Sequence, residues 1–282
     1  MTSNRRQAVK RPLLIAALCA ATGAATLAAP TVKKWLFTDK NEMEQTVRQY
    51  ADNPRAAYYI IVRAHKRDLA AQAAVAYYDL MKKKASDPYL KSAFAFSHFL
   101  ATGLYSREFA NEKSTKLVQQ LRQQQGEASF YRDEALESKP DSPVILLETA
   151  QFLAAQGLNR DKEKAVDLLR RAVKQDPKWA DTHYWLGYTL SSLWTPNRAH
   201  RIQSAKEALP HLDEAERLEP KMRPECLISR VYAYQMLDDK PKQLQYMEAY
   251  LKVRPEAAKK KWLANWRKSL RDDLAKQKKP GA

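Results

Sequence analysis

The chain has 282 residues, 45% hydrophobic and 29% charged, enough to bury a sizeable core in one large domain or two small ones, so a disordered chain is excluded as the default reading. Only six glycines, abundant Ala, Leu, Lys, Gln and Glu, and no alternating Val, Ile and Thr runs between turn dipeptides favour an all-α fold. The formal charge of +17 gathers at the two ends, about +6 at the start and about +6 after Pro255, which leaves the middle mixed in sign and argues against a nucleic-acid groove.

Arg5, Arg6, Lys10 and Arg11 precede an uncharged run from Leu13 to Val32. Twenty such residues are long enough to span a bilayer, but Ala, Thr and Gly dilute the second half, which is more typical of a signal peptide than of a permanent anchor. The basic excess ahead of it predicts that this end stays in the cytoplasm and the rest is exported, to the periplasm or tethered to the membrane. "NRRQAVK", with Lys33 and Lys34 after the run, resembles a twin-arginine export signal; Asn4 and Ala8 depart from that pattern. Cleavage after Ala28 and an uncleaved anchor both stay open, and bulky Leu18 ahead of Cys19 speaks against a lipoprotein site. The other cysteine, Cys226, reads as a small buried apolar side chain.

From Glu42 onward apolar residues recur at helical spacing, and helices end at Pro88, Pro140, Pro177, Pro220 and Pro255, at intervals of 52, 37, 43 and 35 residues. The first expected pair joins "PRAAYYIIVRAHKR" to "DLAAQAAVAYYDLMKKK". The next joins "PYLKSAFAFSHFLATG" to "EASFYRDEALESKP", interrupted by an insert, Leu104 to Gln125, that extends a helix or adds one. A shorter insert, "WTPNRAHRIQS", separates the helices of the unit around Gly187. Gly103 and Gly157 fall where first helices should end.

Aligned on their prolines, the second helices carry small residues at Ala135, at Ala165 and Ala172, and at Ala208 and Ala215, with Tyr131, Leu169 and Leu212 as the larger residue between. In the first helices Ala150 and the pair Leu186-Gly187 occupy the matching small positions. These residues resemble the tetratricopeptide repeat, whose small positions let two antiparallel helices approach closely. The resemblance implies a right-handed α-solenoid of about four helix pairs, with residues 40–140 degenerate and 141–255 more regular. It also implies that Gly187 is bare because the second helix packs there, where an alanine is nearly tolerated and a leucine is not.

After Pro255, Trp262, Trp266, Leu270 and Leu274 recur every four residues on a basic helix, residues 256–282, that caps the solenoid. Its Lys259, Lys260, Lys261, Arg267, Lys268 and Arg271 form an alternative surface for anionic membrane or envelope polymer.

Catalytic and metal-binding constellations are missing from the sequence. The five histidines do not pair at ligand spacing on one helix face, and there is no Gly-rich phosphate loop or G-x-S-x-G elbow. No cofactor and no small-molecule substrate is implied. The expected function is a non-catalytic scaffold that binds a peptide or helix of another protein in a concave groove lined by Ala93, Ser97, Gln151, Tyr184, Tyr188, Tyr232 and Gln235, with the tyrosines as anchors. The Lys and Asn clamp that some such repeats use for a terminal carboxylate is replaced here by Ala93, Leu147, Tyr184 and Ile228.

Overall fold

The computed structural model describes residues 40–63, 67–102, 116–155 and 158–277, so the export segment, Gly103 and Gly157 lie outside the described residues. Among the described residues there are thirteen α-helices and no strand. In chain order the first six are α1 (Lys40–Gln49), α2 (Pro54–Val62), α3 (Arg67–Lys83), α4 (Pro88–Thr102), α5 (Lys116–Gln123) and α6 (Gln125–Ser138). Then follow α7 (Pro143–Ala155), α8 (Asn159–Gln175), α9 (Ala180–Ser192), α10 (Arg198–Leu218), α11 (Arg223–Met236), α12 (Lys240–Val253) and α13 (Lys261–Gln277).

Helix pairs α4 with α6, α7 with α8, α9 with α10 and α11 with α12 repeat along the chain, and the first helices stand side by side, α4 on α7, α7 on α9 and α9 on α11. This is the expected all-α solenoid of four pairs. Its stops have a common geometry: Lys139, Asp176, Glu219 and Arg254 each precede a proline, and their φ lies between −132° and −139° with ψ between 67° and 90°. The proline ring forbids the helical ψ at the residue before it. Each of these residues still donates its N–H to the carbonyl four back, to Ala135, Ala172, Ala215 and Tyr250.

Gly187 sits at the crossing of α9 and α10. A Cβ built there would lie 2.7 Å from Leu212 Cγ and 3.0 Å from the backbone oxygen of Ala208. The close approach is as expected, and Ala208, Leu212 and Ala215 are all fully buried around it. The expected tolerance of alanine is corrected: a carbon 3.0 Å from a backbone oxygen and closer still to buried Leu212 forces that side chain or one of the helices to shift.

Two further expectations change, and one left open is decided. α2 does not lie along α3; α3 packs on α1 and α4, while α2 packs on α4 and α7. The long insert contributes a helix of its own, α5, which buries Val118 and Leu121 against α3 and α4. Most of the short insert becomes the first turns of α10, capped by the Asn197 side chain on the His200 N–H at 3.1 Å. That helix runs on through Pro210, where one donor is lost, because Ala205, Ala208, Leu212 and Ala215 bury its inner face on both sides of the ring.

The capping helix α13 closes the end of the stack on α12. Its buried line is Leu263 and Leu270, with Trp262, Trp266 and Leu274 half-buried beside them. A strict spacing of four drifts by about 40° per step around a helix of 3.6 residues per turn, so Leu263 takes the central place that the sequence pattern gave to Trp262.

Candidate functional site

The nine residues of α2, "PRAAYYIIV", have no polar face, and seven of them are buried. So short a helix with three β-branched residues at its end is marginal alone, so tertiary packing must hold it. Asn53 starts it, accepting the Ala56 N–H at 3.0 Å, and Pro54 pre-sets its first turn. It lies across the row of first helices. Tyr58 stacks on Phe96 of α4 with centroids 5.8 Å apart, meets Trp179 edge-on at 5.4 Å, and its hydroxyl accepts from Gln151 Nε2 of α7 at 2.8 Å.

Tyr59 carries the polar anchor. Its hydroxyl donates to Asp181 Oδ2 at 2.8 Å, and the Trp179 indole N–H is shared between Tyr59 Oη and the same carboxylate oxygen, both at 2.9 Å. At the start of α2, Arg55 reaches Asp176 at 3.0 Å and lies 4.6 Å from the Trp179 ring centroid. Tyr59, Trp179 and Asp181 are all buried. Burial pushes the Asp181 carboxyl above its ordinary range, against the Tyr59 and Trp179 hydrogen bonds and the Arg55 charge that hold it down. Burial, with the Asp181 charge added, raises the Tyr59 phenol far above its usual value.

This arrangement corrects the expected groove. Ala93, Ser97, Gln151 and Tyr184 are buried and present no surface. Ala93 and Ser97 belong to α4, which is surrounded by α2, α3, α6 and α7 and buries eleven of its fifteen residues. Ser97 spends its hydroxyl on the Ala93 carbonyl at 2.7 Å. Gln151 is occupied by Tyr58, and Tyr184 is packed against Trp185 and Tyr188. The remainder of the expected set is less buried: Tyr188 of α9 and Tyr232 of α11 are half-buried, and Gln235 of α11 is exposed. Tyr232 meets Trp266 of α13 with centroids 5.5 Å apart, so α13 flanks this open stretch.

The alternative basic surface divides as well. Lys259, Lys260, Lys261 and Lys268 are exposed and have no carboxylate partner among the described residues. Arg267 and Arg271 are both drawn onto Glu248 of α12, at 2.8 and 2.7 Å.

Two features escaped the reading of the sequence. His183 and His211 meet across the α9–α10 crossing, Nδ1 to Nδ1 at 3.1 Å, with His183 Nε2 3.0 Å from the Pro177 carbonyl. A ring nitrogen that faces a carbonyl must carry the proton, so His183 Nδ1 accepts from His211. Burial above all holds the His211 pKa below the usual value. No group of three or more His, Cys, Asp or Glu that could hold a metal exists among the described residues. The other feature is α2 in the face of the solenoid; the unbroken run from Ala56 to Val62 was its signal, since a helix apolar all round belongs inside. Cys226 is buried as expected, its thiol pushed up to about 12 by burial.

No family model matches the chain, and no curated protein matches it in sequence. Among solved structures, it is similar to TTC0263, a thermophilic TPR protein in Thermus thermophilus, at 15% identity and a TM-score of 0.47 over 82% of this chain and 98% of that one. It is also similar to a monomeric mutant of IFIT1 with Gppp-AAAA, at 15% identity and a TM-score of 0.42 over 75% of this chain and 54% of that one.

Proposed function

We propose that the chain is a non-catalytic protein-interaction scaffold that takes a helical or extended segment of a partner along the row α4, α7, α9 and α11. The observation that carries this reading is α2 itself: the face of the row already holds an apolar helix through two tyrosines, a buried hydrogen-bond network and an arginine at one end. A surface that binds one helix in cis has the shape and chemistry to bind another beside it. The open stretch over Tyr188, Tyr232 and Gln235 is where that partner docks, with the tyrosines supplying contact area at low entropic cost. The N-terminal segment delivers this body across a membrane.

A photo-crosslinking residue in place of Tyr232 should trap one discrete partner in cells, and the same residue in place of exposed Lys164 on α8 should not. Equal labelling at both positions, or none at Tyr232, sinks the reading. Sequencing the mature N-terminus of the chain from the envelope fraction tests delivery; an intact start in the cytosolic fraction contradicts it.

The exposure of Lys259, Lys260, Lys261 and Lys268 favours a second reading, attachment to anionic membrane through α13 and the turn before it. Changing these four to Gln should abolish co-sedimentation with phosphatidylglycerol vesicles at low salt. Retention of binding would dismiss it.

A further inference from the structure

His183 and His211 face each other one helical turn before Gly187, where α9 and α10 cross at close range. Their ring centroids lie 5.3 Å apart with the planes tilted by 39°, and Nδ1 meets Nδ1 at 3.1 Å. His183 is 7% exposed and spends its Nε2 proton on the Pro177 carbonyl at 3.0 Å; His211 is half-buried. Between the two Nδ1 atoms there is room for one proton. The neutral pair already has it, donated by His211. A first added proton goes to the remaining ring nitrogen, His211 Nε2, and leaves the bond in place with charge assistance. A second makes both Nδ1 atoms donors, 3.1 Å apart with no acceptor between them and with two like charges in a part-buried place.

We propose that His183 and His211 form an acid-operated latch on the α9–α10 pair, closed while the two imidazoles share a proton between their Nδ1 atoms and opened when both rings become charged. The charged groups around the pair are already engaged. Glu207 of α10 favours a charge on His211, but Arg170 of α8, which opposes it, holds both oxygens of that carboxylate at 2.8 Å. Glu214 of α10, the acid within range of His183, accepts from Arg217 at 2.7 Å. On the α11 side, Arg230 closes on Asp213 and Glu216 at 2.7 and 2.6 Å, and Glu225 is bound to Arg254 at 3.3 Å. Glu148 of α7 accepts from Ser92 of α4, Asp181 of α9 from Tyr59 and Trp179, and Asp176 before the Pro177 turn is held by Arg55. Burial acts in the same sense, holding His211 below its usual pKa.

The unfolded chain takes a proton on each imidazole near the ordinary value of about 6.5, whereas the closed latch takes at most one in total. Below that value the unfolded state binds at least one proton more. The stability contributed by the latch is therefore present in full above about pH 6.5 and is lost as the pH falls. Opening frees α9 from α10 beside Gly187, and α9 also carries Tyr188. Acidity thus reaches the stretch proposed to take a partner; that consequence rests on the proposed function, whereas the latch itself does not and is tested without a partner.

Urea unfolding of the full chain is to be compared with that of His211→Asn, whose amide puts a donor, or after a flip an acceptor, where Nδ1 stands and takes no charge. Between pH 7 and pH 5 the unfolding constant of the unaltered chain should rise relative to that of the variant by on the order of twentyfold. Glu148 and Asp181 act in the opposite direction and His98 in the same one, but equally in both chains, so the ratio isolates the pair. Imidazole ¹⁵N spectra of the unaltered chain, which need no variant to fold, should show the pair gaining no more than one proton by pH 5 while the amides of α9 and α10 keep their protection from exchange. At lower pH, uptake of the second proton should coincide with loss of that protection. The latch is overturned by a ratio that stays constant from pH 7 to pH 5, or by two protons gained on the pair with the protection of α9 and α10 unchanged.

Discussion

The pairs from Pro143 to Leu218 and the helices from Lys40 to Ser138 are built from the same signals, apolar helices stopped by prolines, yet they pack differently. In the first region the outer helices α8 and α10 each bury a single face, the crossing points are reserved for small residues, and the outer acids find surface partners: Glu207 is held below its ordinary range by its Arg170 hydrogen bond, at 2.8 Å, and Glu214 by that of Arg217. In the second, α4 is enclosed on every side and α2 crosses the row instead of lying along α3; at the seam between the two regions an acid of α7, Glu148, is buried against α4 with no ion-pair partner among the described residues. The difference teaches that a small residue at the crossing makes a pair, while a helix with no polar face is driven to wherever the most apolar surface can be covered.

That contrast can be broken most forcefully at Trp179, which joins the two regions. Trp179→Ala should cost roughly 3–5 kcal/mol in urea unfolding, as for other fully buried tryptophans. Hydrogen exchange should then show residues 54–62 losing protection before those of α7 to α10; uniform loss would mean that α2 is no separate unit.

The trapped acids predict an unusual pH profile. Above the ordinary carboxylate range the unfolded chain has released a proton that the folded chain still keeps on Glu148, and Asp181 is shifted in the same direction. The folded state therefore binds more protons, and its stability should fall as the pH rises from the ordinary carboxylate range through about 8. Glu148→Gln should flatten this slope and raise stability at pH 8 by a few kcal/mol; an unchanged slope in chemical denaturation would refute the assignment.

In the regular region, Gly187→Ala should destabilise by roughly 1–3 kcal/mol, although alanine gains about 1 kcal/mol of helix propensity. A variant equal to or more stable than the natural chain in thermal unfolding would show that the α9–α10 crossing yields easily. The smallest effect belongs to the turn after α11, where Asp238 has a φ of 60° and the Asp239 N–H reaches back to the Tyr234 carbonyl at 3.1 Å. Glycine has no Cβ to oppose that conformation, so Asp238→Gly should add roughly 0.5–1 kcal/mol. Loss of stability there would mean that the aspartate carboxyl is needed at the turn.

Much of the regular region could be read from single residues. Gly187, Ala208 and Ala215 marked a close crossing because bulk at any of them is incompatible with two touching backbones. The prolines after Lys139, Asp176, Glu219 and Arg254 marked helix stops because the constraint acts on the residue next to them in the chain. The groove set was not legible from its own helices: Gln151 is taken by Tyr58, 93 residues away in sequence. The histidine pair was hidden for the same reason, its members lying 28 residues apart on two helices.

The amino-acid order alone thus determined the helices, their ends and the places where two of them touch, since these follow from covalent geometry and from interactions within a few residues. Which surfaces remain open was decided only in three dimensions. The resting place of α2 depends on free energy summed over α4, α7 and the Trp179 turn together, and no local pattern in Pro54–Val62 records that Asp181 waits for the hydroxyl of Tyr59.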